Sequence, residues 1–288
     1  MRGTDCLLPA RVRAMLSCPL PLRIGAPSYV LHAPYVPAVR YSAQHCDAVA
    51  LLLFETGERG EYLPSPAEIH EIGHILAGEG VSLHVHLPTD AHCATASQAH
   101  TLCQHIDRAL DCVAPLAPEL YVLHLDVPCA SAAWQSAPSL QQQAQAEYFV
   151  HNLRARLAPE QICVENLEGY APNFWDALIA QQGLAHCLDA GHVWKDGGKP
   201  ETCFAAWQQN CPLIHIHGNT QQGGRLRDHQ SLACLPPSQL DAFLFPLWGS
   251  AYAGILVLEV FTQEDLATSQ AALCASYQRW QRSTTLCP

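Results

Sequence analysis

Lysine is almost missing from this 288-residue chain: Lys195 and Lys199 are the only two. Lys plus Arg total 15 against 26 Asp plus Glu, a formal net charge of −11. So acidic a chain has no general attraction for nucleic acid or for an anionic membrane, which argues against both as partners. Charged residues make up only 14% against 49% hydrophobic, a balance that disordered chains do not have. No apolar run approaches the length of a membrane span, and the first twenty residues lack the apolar stretch and cleavage site of a signal peptide. No C-x-x-C pair occurs among the 14 cysteines. They are scattered, several inside apolar runs such as QICVEN around Cys163 and AHCLDA around Cys187. Buried free thiols in a reducing cytoplasm account for them better than a disulfide framework does. A G-x-G-x-x-G turn is also lacking after the first apolar run, where GAPSYV stands, so the main mark of a doubly wound dinucleotide-binding sheet is absent.

Histidine is what the chain has in excess, 16 residues, more than Lys and Arg together. Its distribution follows the chain's alternation of short apolar runs with longer helical stretches. The runs are RIGAPSYV (23–30), AVALLLFE (48–55), VSLHVHLP (81–88), LYVLHLD (120–126), ICVENLE (162–168), HCLDAGH (186–192), LIHIHG (213–218) and ILVLEVF (255–261). Continuous apolar strands, each followed by a helix, make a parallel sheet covered on its outer face. Eight such units in one chain close into a single-domain α/β (β/α)8 barrel spanning 21–288, with residues 1–20 expected as a poorly ordered extension. Helices are expected near 95–113, 139–158, 172–182, 200–209, 236–247 and 263–280. A further one begins at Ser65-Pro66-Ala67-Glu68, a capping box with proline at its first turn, and stops at Gly78 or Gly80.

Most of these strands end in a metal-ligand residue instead of a turn residue. Glu55 closes the second run, His86 the third, His124 the fourth and Glu165 the fifth. Asp189 closes the sixth, with His192 three residues on, His217 closes the seventh and Glu259 the eighth. In a parallel barrel these ends meet on one rim, so residues far apart in sequence converge on one ion. A single strand histidine is usually a hydrogen-bonded core residue, and a single strand-end glutamate is usually an ion-pair partner. Six consecutive ends of only His, Asp or Glu are another matter, because several carboxylates buried together without a cation are costly. His84 and His215 share the inward parity of His86 and His217 but lie one layer deeper, so they read as supporting or core residues. Beyond His217 the loop 218–232 carries Arg225, Arg227, Asp228 and His229. Asp228 and His229 are expected to complete a further metal position with His192, and an arginine to face a phosphate.

This pattern resembles the xylose-isomerase-like TIM barrels, the superfamily of sugar isomerases, epimerases and the endonuclease IV type of phosphodiesterase. The resemblance implies one divalent ion within Glu165, Asp189, His217 and Glu259. His86 and His124 look like the endonuclease IV additions, and His192 with Asp228 and His229 looks like its third site, although Asp228 and His229 are adjacent here where that branch has Asp-x-His. The stretches RIGAPSYV, LLLFE, ICVENLE, LDAGH, IHIHG and RDHQSL are similar to the cobamide-remodelling phosphodiesterases of the CbiR type. That likeness implies hydrolysis of the nucleotide-loop phosphodiester of a corrinoid, giving cobinamide and α-ribazole phosphate. Two or three ions are expected, zinc first and Mn or Fe after it, with Glu165, Glu259 and Arg227 catalytic and Glu55, Tyr29, Trp194 and Arg225 around the substrate. A corrinoid needs a wide mouth, for which Trp134 is a further wall. The competing activity is a sugar isomerase or epimerase, with one ion polarising a carbonyl while Glu165 and Glu259 exchange a proton on opposite faces. A degenerate barrel that only binds a ligand is the non-enzymatic alternative.

Overall fold

The computed structural model describes residues 21–53, 62–88, 95–126 and 134–285. Eight parallel strands close into a barrel: β1 (Arg23–Pro27), β2 (Ala48–Leu52), β3 (Ser82–His86), β4 (Leu120–Leu123), β5 (Ile162–Glu165), β6 (Ala185–Asp189), β7 (Leu213–Ile216) and β10 (Ile255–Leu258). The order around the barrel is β1-β10-β7-β6-β5-β4-β3-β2, so chain order is broken only by a hairpin inserted between β7 and β10. The helices α1 (Tyr35–His45), α2 (Pro66–Glu79), α3 (Ala96–Val113), α4 (Leu140–Arg154), α5 (Asp176–Gln182), α6 (Ala190–Lys195), α7 (Pro200–Trp207), α8 (Pro237–Gly249) and α9 (Gln263–Thr285) follow the strands in turn. The fold is the single-domain (β/α)8 barrel expected. The extension 1–20 and Glu55 lie outside the described residues.

The strands read as unbroken apolar runs because both of their faces are buried. One face fills the barrel with small and branched residues, Ala48, Ala50, Val122, Cys163, Ala185, Cys187, Leu213, Ile255 and Val257. The other packs on the helices in two clusters. Val49, Leu51, Val85, Leu123 and Val164 meet Ile72, Ile106 and Phe149 on one side. Leu188, Ile214, Leu256 and Leu258 meet Phe243, Leu247 and Tyr277 on the other. Every described cysteine is a free thiol, and no described helix is long and apolar enough to cross a membrane.

At the start of α2, Ser65 Oγ accepts from Glu68 N at 3.3 Å and Glu68 Oε2 accepts from Ser65 N at 2.8 Å, the reciprocal cap expected from SPAE. The helix ends at Gly80, whose φ of 63° is left-handed. Ser65→Ala removes one acceptor and leaves an amide unsatisfied at the helix start. It lowers unfolding stability by about 1 kcal/mol, measurable by urea titration with the slope unchanged.

Three features depart from the sequence reading, one of them α6, which begins at Ala190 inside the run read as a strand over 186–192. Residues 35–45, with no strong start signal, form α1. The loop 218–232 is largely an antiparallel hairpin of β8 (Gly218–Gln222) and β9 (Arg225–Gln230), pairing Gln222 with Arg225 across Gly223-Gly224.

Candidate metal centre

The strand ends meet as the parity argument requires. Glu165 ends β5, Asp189 ends β6, and His124, His217 and Glu259 follow β4, β7 and β10 by one residue. Glu165 is the hub, 1% exposed. Its Oε2 lies 3.4 Å from His86 Nε2, 3.1 Å from His124 Nε2 and 3.3 Å from His215 Nδ1. The same His215 nitrogen is 3.2 Å from Glu259 Oε2. On the far side, His217 Nε2 is 3.4 Å from Asp189 Oδ1. The rings of His192 and His229 lie 5.5 Å and 4.3 Å from that of His217.

These atoms approach one another without bonding. Glu165 Oε2, Asp189 Oδ2, Glu259 Oε2, His124 Nε2, His217 Nε2 and both ring nitrogens of His215 are buried with no hydrogen-bond partner. Three carboxylates with one oxygen each orphaned together in a protein interior are costly, and a cation that takes those lone pairs relieves the cost. The donor set of carboxylate oxygens and imidazole nitrogens suits a first-row divalent ion. Glu165, Asp189, His215 and Glu259 form one group whose ligand atoms all lie within 4.8 Å of each other. His86, His124 and Glu165 form a second, and His192, His217 and His229 a third. The residues therefore fit a divalent metal.

The charges agree with that geometry. Burial opposes ionisation of Glu165, but the rings of His124 and His215 more than offset it and hold its carboxyl well below the usual range. Glu259 behaves alike, with burial outweighed by His215. Burial works against a charge on His192 too, yet Asp189 and Glu165 push its pKa up to about 9.

Local structure fixes each group. Asn166 clamps β6 through both ends of its amide, donating to Asp189 O at 3.0 Å and accepting from Asp189 N at 2.8 Å. Asp189 caps α6 by accepting from His192 N at 2.6 Å, so the D-x-x-H spacing is a helix start that also aims His192. Between them, Gly191 leaves room for a ring: a Cβ there would stand 2.2 Å from His217 Cε1. His229 has a left-handed φ of 50°, uncommon outside glycine, and is held there on both sides. Its amide donates to His217 Nδ1 at 3.0 Å, and its own Nδ1 is 3.1 Å from the Glu259 carbonyl.

Several expected positions fall elsewhere. Asp228 joins none of the cation-ligand groups among the described residues; its carboxylate pairs with Lys195, which also donates to Glu168 Oε1 at 2.5 Å. The ring of His229 lies 6.1 Å from that of His192 while Asp228 is turned to Lys195, so the two do not converge on His192 together. Arg227 is exposed on the hairpin, with no ion pair to the centre among the described residues. Trp194 packs edge-on against Phe243 at 5.8 Å in the helical layer, away from the mouth. Tyr29 does stand at the rim, stacked on His32 at 4.4 Å and edge-on to Phe261 at 5.9 Å. Trp134 is 53% exposed and lines a side cavity next to His192. For Arg225 only the backbone, in β9, is described. The centre opens into a cavity of about 190 Å³ lined by Leu52, His86, His124, His192, His229 and Phe261. That is below the usual size of sites for drug-sized ligands and matches a molecule of a few carbons.

Missed from the sequence were the central position of His215 and the Glu168–Lys195–Asp228 chain. The HIH spacing in β7 was the signal for the former. Nothing in the sequence pairs Lys195 with residues 27 and 33 positions away.

No family model and no curated protein matches the chain. Solved structures do. A D-tagatose 3-epimerase-like protein superposes with a TM-score of 0.67 at 18% identity, over 91% of this chain and all of its own. An L-ribulose 3-epimerase gives 0.60 at 14%, over 92% and 97%. A xylose isomerase domain protein from Planctomyces limnophilus gives 0.62 at 12%, over 91% and 98%. The chain thus has the xylose-isomerase-like TIM-barrel fold. These neighbours correct the expectation of a cobamide phosphodiesterase: the three structures above, each sharing the fold over at least 97% of its own length, are named for sugar epimerases or a xylose isomerase domain. Neither the hydrolytic activity nor the corrinoid substrate finds support, and the pairing of Asp228 with Lys195 takes a residue from the further metal position expected with His192 and His229.

Proposed function

We propose that this chain is a divalent-metal-dependent epimerase of a small ketose, inverting the carbon beside the carbonyl. One observation carries the reading: the Oε2 atoms of Glu165 and Glu259 come to 3.3 and 3.2 Å from a single nitrogen of His215, both buried and both without a hydrogen-bond partner. Epimerisation by proton exchange needs two such bases about one carbon, one for each face. The names of the structural neighbours, a D-tagatose 3-epimerase-like protein and an L-ribulose 3-epimerase, support the same choice.

In this scheme Glu165, Asp189 and Glu259, with His217 or His215, hold the ion. When bound, it supplies a positive charge that polarises the carbonyl and favours the enediolate. One glutamate takes the proton from the carbon and the other returns it from the opposite side. His86, His124, His192 and His229 line the cavity and orient hydroxyls of the substrate. Leu52, Leu87 and Phe261 keep water from the reacting carbon.

The test is a panel of pentuloses and hexuloses in deuterium oxide, with protein stripped by chelator and reloaded with Mn²⁺, Co²⁺, Mg²⁺ or Zn²⁺. The expected result is inversion next to the carbonyl with one deuteron gained, abolished by chelation and restored by one ion per chain. Protein that binds its ion yet exchanges no carbon-bound hydrogen in any ketose overturns the reading.

A further inference from the structure

Beneath the rim the barrel holds a donor that the epimerase chemistry leaves unused. Cys187 lies on β6 two residues before Asp189, with the same inward parity and one layer deeper. It is fully buried inside the barrel and pairs in register with Glu165 on β5. Its sulfur, a carboxylate oxygen of Glu165 and a ring nitrogen of His215 lie within 4.8 Å of one another. His215 is itself fully buried, and neither of its ring nitrogens has a hydrogen-bond partner. An imidazole buried with both nitrogens unsatisfied is unfavourable, as any orphaned polar group in a protein interior is.

We infer that Cys187, Glu165 and His215 form a second, deeper ligand set that takes a soft divalent ion such as Zn²⁺ through a thiolate. It shares Glu165 and His215 with the harder set of Glu165, Asp189, His215 and Glu259. The two sets overlap, so a single ion occupies one or the other. Oxygen-preferring ions such as Mn²⁺ and Mg²⁺ sit at the rim, whereas an ion with affinity for sulfur is drawn one layer down. Binding at the deeper set releases the thiol proton to solvent, because the ligand is the thiolate. Cys187 is then the residue that decides which metal the protein keeps and at what depth. The inference rests on the buried donors being a metal centre and not on the epimerase reaction.

Cobalt(II) reports both facts at once. Its visible d–d bands show that it is bound, and a near-ultraviolet charge-transfer band shows a thiolate ligand. Full-length protein freed of metal and titrated with Co²⁺ is expected to show both. Cys187→Ser and Cys187→Ala keep the d–d bands and lose the charge-transfer band, while Cys163→Ser, which alters the neighbouring barrel thiol, keeps both. In competition, Cys187→Ser shifts the preference for Zn²⁺ over Mn²⁺ downward by at least about 10- to 100-fold, the range that loss of a group merely supporting a ligand already costs a metal site. A wild-type spectrum with d–d bands and no charge-transfer band overturns the inference while leaving the metal centre intact. A charge-transfer band that survives in both Cys187 variants overturns it likewise, by placing the thiolate elsewhere. Failure to bind cobalt at all removes the centre itself. Should one Cys187 variant not fold, the other carries the comparison.

Discussion

Glu165→Gln and Glu259→Gln each reduce turnover of the epimerised sugar by about 10²- to 10⁴-fold, the span that positioned acid–base groups contribute. Their residual activities are expected to differ in kind. With one carboxylate gone, the other still removes and returns a proton on its own face. Glu165→Gln therefore exchanges deuterium into one epimer without converting it, and Glu259→Gln does so with the other. Glutamine retains the volume and one oxygen donor, so metal content by elemental analysis separates a lost base from a lost ion. If both variants keep their metal and still exchange the same epimer, the two glutamates do not serve opposite faces, and the assignment of paired bases falls.

Gly191→Ala carries the second large effect, and here magnitudes decide the sign. Gly191 lies in α6, where alanine is ordinarily favoured over glycine by about 1 kcal/mol. The added Cβ would stand 2.2, 2.3 and 2.4 Å from Cε1, Nε2 and Nδ1 of His217. That ring is fully buried, and its Nδ1 accepts from His229 N, so it has nowhere to swing. Forcing a methyl into a packed interior costs about 1–3 kcal/mol, more than the helix gains. Alanine thus lowers the melting temperature and displaces a ligand from Asp189. Metal affinity measured by calorimetry should weaken along with stability. A variant as stable as the parent, with unchanged affinity, shows that His217 has room the geometry denies it.

How much of this was legible beforehand depended on the physics behind each feature. Buried parallel strands must be apolar on both faces, so all eight stood out as runs, and ligand types at their ends named Glu165, Asp189, His217 and Glu259. Parity and position put His215 inside the barrel one layer below His217, but carried no information on which residues of the neighbouring strands it meets. Register does: β7 sets His215 beside Asp189 on β6 and beside Val257 on β10. The hairpin is not legible in the sequence because its strands, GNTQQ and RLRDHQ, are mostly polar and offer no hydrophobic alternation. Asp228 departs from its expected place for a related reason: adjacency in sequence to His229 does not make the two converge in space. The activity was drawn from short motif likeness, and ligand residues shared across a superfamily do not discriminate among its reactions.

The hairpin's outer end has a use of its own. Gly223 and Gly224 take φ values of 60° and 76°, the pair of positive angles that a two-residue turn of the primed type demands. All anchoring of His229 is at the inner end, through His217 and the Glu259 carbonyl. The tip is consequently a graft point: a longer segment spliced between residues 222 and 225 would leave the contacts of His229 with His217 and the Glu259 carbonyl untouched.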